Sequence, residues 1–201
     1  MILVCSDIHG SKRAGDLIKT LDSNYNFEKI IILGDFLYNG PRNKVPLDYD
    51  PNYLIDVFNS LKSKIVAVRG NCDADVDLMV LKFEIPKFRE EIIKINDINY
   101  KFFLTHGDIE DLYNFEPKNN EIMIKGHTHI KVLKRNENGG ITLNPGSMTF
   151  PKNHPSKKDD PLNKSFIIID ENVRLYEFEY DENNNAKILN THSFNDGQFI
   201  E

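Results

Sequence analysis

Three short apolar runs mark the first third of the chain: ILVC at residues 2–5, KIIIL at 29–33 and KIVAV at 64–68. Past the leading lysines no polar residue interrupts them, the pattern of strands buried on both faces of a parallel sheet. Between them, Ala14, Leu17, Ile18 and Leu21, and then Leu54, Val57, Phe58 and Leu61, recur at i, i+3, i+4 and i+7. Each set forms the apolar face of one helix. Asp50 followed by Pro51 suits an N-cap and first helical position for the second of these. Residues 1–71 therefore predict a βαβαβ layout with a parallel sheet.

The texture changes after residue 78. LMVLKFEI, EEIIKI, INYKFFLT, EIMIKG and IKVLKR are short β-type runs, separated by Asn-Asp and Asn-Gly-Gly turns, and predict a second, largely antiparallel sheet. SFIIID and VRLYEFEY, parted by Glu171-Asn172, predict a hairpin that closes this second sheet. The Pro- and charge-rich stretch 151–163 reads as an irregular loop, and DENNN as a polar turn. With no internal repeat and no linker, one domain over residues 1–201 is expected.

Charge and cysteine usage narrow the function classes. A net charge of −6 and a pI near 5.5 argue against broad attraction to nucleic acid or anionic lipid. Two cysteines, Cys5 and Cys72, are too few for a disulfide framework and suit a reducing compartment. The start, MILVCSD, has no basic flank and reads as a strand, and no segment approaches the roughly 20 apolar residues that span a bilayer. The expected location is the cytoplasm, with no membrane partner and no nucleic acid; the sequence leaves a homo-oligomer open.

The chemistry sits just past the apolar runs. Asp7 and His9 follow ILVCS, Asp35 follows IIILG, Asn71 follows VAVRG, His106 follows KFFLT, and His127 and His129 follow IMIKG. Ligands of open α/β sheets bind beyond the carboxyl ends of the strands. If those ends lie together, these seven metal-capable groups converge. Carboxylate, imidazole and carboxamide without thiolate suit divalent ions such as Mn²⁺, Fe²⁺ or Zn²⁺ in a reactive site, and argue against a structural zinc cage. Seven ligands exceed the needs of one ion, whereas two ions sharing a carboxylate, roughly 3.5–4 Å apart, would use them all.

SDIHGS, ILGD, NGPRN, VRGNCD, FLTHG, GHTH and NPGS, in this order over residues 1–150, resemble the calcineurin-like metallophosphoesterase superfamily, and within it the YfcE-like bacterial phosphodiesterases. The resemblance implies an α/β fold, a four-layer αββα sandwich of two mixed β-sheets flanked by helices. It implies one ion on Asp7, His9, Asp35 and His129, and a second on Asp35, Asn71, His106 and His127, with Asp35 bridging. The implied activity is hydrolysis of small phosphate diesters by in-line attack of a metal-bridging hydroxide, with Asp35, Asn71 and His106 at its centre and two divalent ions as cofactors, Mn²⁺ first and Fe, Zn, Ni or Mg as alternatives. A phosphomonoesterase or nucleotide hydrolase is the alternative. The superfamily also includes a retromer scaffold subunit lacking part of the histidine set, but here every ligand position is filled.

Many members carry a histidine where this chain has Cys72. A thiol replaces an imidazolium poorly as an anion binder, so activated aryl diesters are expected to outperform alkyl ones. Asn39 and Arg42 of NGPRN and Cys72 are the candidate substrate contacts, and Asp73 a candidate acceptor for His106 or His9. His154 and His192 read as exposed or structural, and NPGS (144–147) as a turn supporting the G-H-T-H segment.

Overall fold

The computed structural model describes residues 1–194; residues 195–201, part of the single domain expected from sequence, lie outside the described residues. Strands β1 (Ile2–Cys5), β2 (Lys29–Ile32) and β3 (Ile65–Ala67) are parallel, as the runs predict. Helices α1 (Lys12–Tyr25) and α2 (Pro51–Ser60) connect them. Ser11 caps α1 by accepting from Ala14 N, and Asp50 caps α2 by accepting from Tyr53 N, with Pro51 opening the helix.

Alternate residues of these strands feed two cores. Leu3, Cys5, Ile30 and Ile32 pack against the helices through Ala14, Ile18, Leu54 and Phe58. Ile2, Val4, Ile31 and Leu33 face the second sheet. Both faces are thus covered, which accounts for runs without polar alternation.

The C-terminal hairpin corrects the sequence reading. β9 (Lys164–Ile169) and β10 (Val173–Tyr180) join the first sheet, whose order is β11-β10-β9-β1-β2-β3, with β9 antiparallel to β1. The reason lies in β9 itself. Phe166 and Ile168 enter the helix-side core while Ile167 and Ile169 enter the inter-sheet core, so the strand suits only a doubly covered central position. β11 (Ala186–Ser193), a polar edge strand after the DENNN turn, was not marked by any apolar run.

The second sheet, β4-β5-β6-β8-β7, holds β4 (Phe88–Ile95), β5 (Ile98–Thr105), β6 (Glu121–Ile124), β7 (Lys131–Arg135) and β8 (Ile141–Pro145). It is mixed rather than largely antiparallel: β5, β6 and β8 run parallel, and only the outer pairs β4/β5 and β7/β8 are antiparallel. The β4/β5 hairpin turns on Asn96 and Asp97, both at positive φ as a two-residue primed turn requires. By contrast the β5-to-β6 connection is a long crossover. Its 3₁₀ turn (Glu110–Leu112) and Phe115, packed on Phe103, form the thin outer layer of this sheet. LMVLKFEI is the other departure, since Asp77–Val80 form one helical turn, α3, begun by Ala74 N donating to the Asp77 carboxylate.

Ion pairs span the sheets, Lys29 of β2 with Glu91 of β4 at 3.3 Å and a more heavily buried one at the other side. Lys131 of β7 donates to Glu177 of β10 at 2.7 Å, and Asn163 and Asn190 each donate to the same carboxylate at 2.9 Å. Burial works to raise the Glu177 pKa, but these donors outweigh it and hold it at about 2, against 4.5 ordinarily. A depressed carboxylate pKa stabilises the fold above the unfolded value and ceases to do so as pH falls through the folded one. Glu177→Gln is therefore expected to lower Tm at pH 7, with the deficit shrinking between pH 4.5 and 2. A pH-independent deficit in thermal scans would rule this linkage out.

Candidate metal centre

β1, β2 and β3 of one sheet and β5 and β6 of the other each end at a candidate ligand segment, and the segments interlock through the backbone. Asp7 N donates to Gly34 O, His9 N to Asp35 O and Gly126 N to His106 O. Asp7, His9, Asp35, His127 and His129 all have φ between 51° and 68°. Non-glycine residues seldom adopt this left-handed conformation, and its concentration here is the strain expected where backbone is bent to aim side chains at a point. The glycines supply close approach instead: a Cβ on Gly70 would lie 2.2 Å from Asp35 Oδ1.

The side chains meet in two overlapping groups. His9 Nε2 and His129 Nε2 are 3.3 Å apart, and Asp7 Oδ1 lies 3.2 Å from the latter and 3.7 Å from the former. Asp35 Oδ2 stands between the groups, 3.7 Å from His9 Nε2 and 3.5 Å from His106 Nε2. Beyond it, Asn71 Oδ1 is 3.0 Å from His106 Nε2 and 2.7 Å from His127 Nδ1. All seven residues singled out in the sequence are thus brought together.

Their hydrogen bonding fits cations. His9, His106 and His129 each donate through Nδ1 to a carbonyl, of Tyr38, Leu33 and Phe150 respectively. A carbonyl only accepts, so each Nδ1 carries a proton and each Nε2 is turned inward. Burial holds the His9 pKa below its ordinary value, and the His9 and His129 Nε2 atoms stand 3.3 Å apart beside Asp7 Oδ1, a buried oxygen without a hydrogen-bond donor. At His106 burial opposes protonation, but the Asp7 and Asp35 carboxylates outweigh it and raise the pKa; a divalent cation would take the place of that proton. Imidazole nitrogens, a carboxamide oxygen and carboxylates converging in this way are a donor set suited to divalent cations.

A profile of the calcineurin-like phosphoesterase superfamily domain matches residues 1–170. The chain belongs to the calcineurin-like phosphoesterase superfamily. It is 37% identical over 153 residues to the phosphodiesterase YfcE of Escherichia coli (strain K12), covering 75% of this chain and 80% of that one. The structure of the E. coli YfcE phosphoesterase superposes with a TM-score of 0.76 at 30% identity, covering 96% and 98% of the two chains. Vps29 of Chaetomium thermophilum, at 15% identity and a TM-score of 0.58 over 96% of this chain and 95% of that one, shares the fold alone.

This cluster of candidate ligands floors an open cleft of about 430 Å³. Arg42 and the half-buried Cys72 line it, whereas Asn39 does not: its amide donates to Gly40 O and Asn43 O and braces the 39–43 loop. Cys72 N donates to Asp35 Oδ1, and burial, reinforced by the Asp35 charge, pushes the thiol pKa up to about 12. His154 caps an exposed 3₁₀ turn away from the lining, and His192 lies against Glu177. Ser147 of NPGS donates to Asp7 O and Asn144 to Gly126 O, so this turn braces both the Asp7 and the G-H-T-H segments.

Asp73 corrects the sequence reading. It orders no histidine; Oδ2 accepts from Asp35 N and Gly70 N, and Oδ1 from Phe36 N, at 2.7–2.8 Å. Its carboxylate, with pKa pushed up to about 6 by burial and nearby Asp35 despite these donors, clamps the Asp35 and Asn71 loops together. Sequence reasoning also missed Lys152, which lines the cleft from the segment after Phe150.

Proposed function

We propose that the chain is a phosphodiesterase of small phosphate diesters, working with two divalent ions, Mn²⁺ first among them. Asp7, His9, Asp35 and His129 would hold one ion, and Asp35, Asn71, His106 and His127 the other. The position of Asp35 Oδ2 between His9 Nε2 and His106 Nε2 carries this reading, because one oxygen reaches both ligand groups. Two such ions supply Lewis acidity, an activated water and neutralisation of the phosphoryl charge.

The chain's own residues shape the rest. Asn71 contributes an oxygen without charge, so the site keeps a net attraction for an anion. The hydrogen bonds from His9, His106 and His129 to carbonyls fix the ring orientations in advance. Cys72, with its thiol pKa near 12, donates a proton poorly to a departing alkoxide. Aryl oxides leave without that help, so aryl diesters are the favoured substrates. A cytoplasmic setting suits the free thiols of Cys5 and Cys72, and among the described residues no helix is long and apolar enough to cross a membrane.

The test is side-by-side turnover of bis(p-nitrophenyl) phosphate and p-nitrophenyl phosphate after EDTA treatment and Mn²⁺ addition. Turnover of the diester is expected to vanish with EDTA, return with Mn²⁺ and exceed that of the monoester. Monoester preference would overturn the diester assignment, and EDTA-insensitive turnover the metal assignment.

A further inference from the structure

Two cations stand on the walls of the cleft. Lys152 is anchored to the metal-ligand segment: its N–H donates to His129 O at 3.1 Å, and it forms a parallel bridge with Ile130, next to the Phe150 carbonyl that holds the His129 ring. Arg42 projects from the 39–43 loop, where Asn39 donates to Asn43 O and Asn43 donates back to Asn39 O. Both positions are built by hydrogen bonds rather than left to chain wandering. Neither side chain is paired with a carboxylate among the described residues.

The charge balance of the cleft runs against that of the chain. The whole sequence carries 31 acidic and 25 basic residues, yet the lining holds Arg42 and Lys152 against the single acid Asp35. A phosphodiester bears one negative charge at its phosphorus, and the two ions proposed above would take that up. The wall cations are then left without a counter-charge unless the substrate brings one.

We propose that Lys152 and Arg42 form a second anion subsite, and that the preferred substrate is a small phosphodiester with a further phosphate or carboxylate on one ester arm. This rests on the phosphodiesterase reading above. The planar guanidinium pairs with such a group through two parallel N–H donors, and the ammonium adds a point charge.

Three aryl diesters with the same leaving group test it, their second arms ending in a hydroxyl, a carboxylate or a phosphate. With Mn²⁺ at low salt, the charged arms are expected to raise kcat/KM roughly three- to tenfold over the hydroxyl arm, mainly through KM, as exposed ion pairs allow. Comparing the carboxylate and phosphate arms identifies which anion the subsite takes. The preference should collapse toward unity in Lys152→Ala, return in part in Lys152→Arg, fade with added salt and persist in Lys157→Ala, whose side chain lies outside the cleft. By calorimetry on EDTA-stripped protein, where no hydrolysis intervenes, the charged diesters should bind tighter than the hydroxyl one, with the difference lost in Lys152→Ala. No charge preference in the wild type, or an equal loss for all three diesters in Lys152→Ala, overturns the subsite and returns the cations to the scissile phosphate. Absence of turnover for all three sinks the phosphodiesterase reading instead, and the binding measurement still decides the subsite.

Discussion

Asp35→Asn is expected to lower turnover of an aryl diester by on the order of 10³-fold, the scale seen when a principal electrostatic group is removed from an active site. Bound metal, measured by elemental analysis, should drop from two ions to one or none. The size of the effect follows from position. One Asp35 oxygen faces His9 Nε2 on one side and His106 Nε2 on the other, while the second accepts from Cys72 N. An amide of the same shape keeps the packing but loses the charge that both ligand groups share. His127→Ala, at the outer edge of the second group, should cost one ion and spare the other. If Asp35→Asn kept two ions and full activity, a bridging role for this residue would be excluded.

Asp73→Ala is expected to damage fold and function together. Asp73 is 4% exposed and accepts from the N–H groups of Asp35, Phe36 and Gly70. Removing the carboxylate orphans three buried donors, and each unsatisfied donor costs about 1–3 kcal/mol, so a loss of roughly 3 kcal/mol or more follows. In a chain of this length that corresponds to a fall in Tm of about 10 °C. The loops bearing Asp35 and Asn71 lose their common anchor, so kcat/KM should fall by roughly 10–100-fold, as for other groups that orient metal ligands. Asp73→Asn, with one acceptor oxygen left, should lie between the two. Calorimetry and steady-state kinetics on the three proteins check this; a Tm and kcat/KM equal to wild type in Asp73→Ala would show that the clamp is dispensable.

The two predictions differ in how legible their residues were. Asp35 could be read from the chain because it follows an apolar run and keeps company with similar groups after four others. Asp73 could not, because its role is to accept from backbone of residues 35 and 36, nearly forty positions away. A carboxylate next to a ligand loop reads equally well as a partner for histidine rings, but the rings instead donate to the carbonyls of Tyr38, Leu33 and Phe150. Any residue offers such a carbonyl, so composition carries no signal for it. Lys152 was hidden in the same way, its place in the cleft set by pairing with the His129 segment rather than by its neighbours in sequence.

The sheet assignments obey the same division. That β9 and β10 are adjacent strands was plain from the apolar run, the turn and the second run, all local features. Which sheet they enter depends on where the two-faced apolar surface of Phe166, Ile167, Ile168 and Ile169 finds cover on both sides, which is beside β1. The sequence by itself thus determined the strand and helix periods, the cap of α2 and the kinds of side chain waiting at the strand ends, because propensity, periodicity and ligand chemistry are properties of a few consecutive residues. Only the tertiary structure decided which strands pair, which backbone groups hold the ligands and which cations line the cleft, because strand pairing and hydrogen-bond partnership are chosen between segments far apart in the chain.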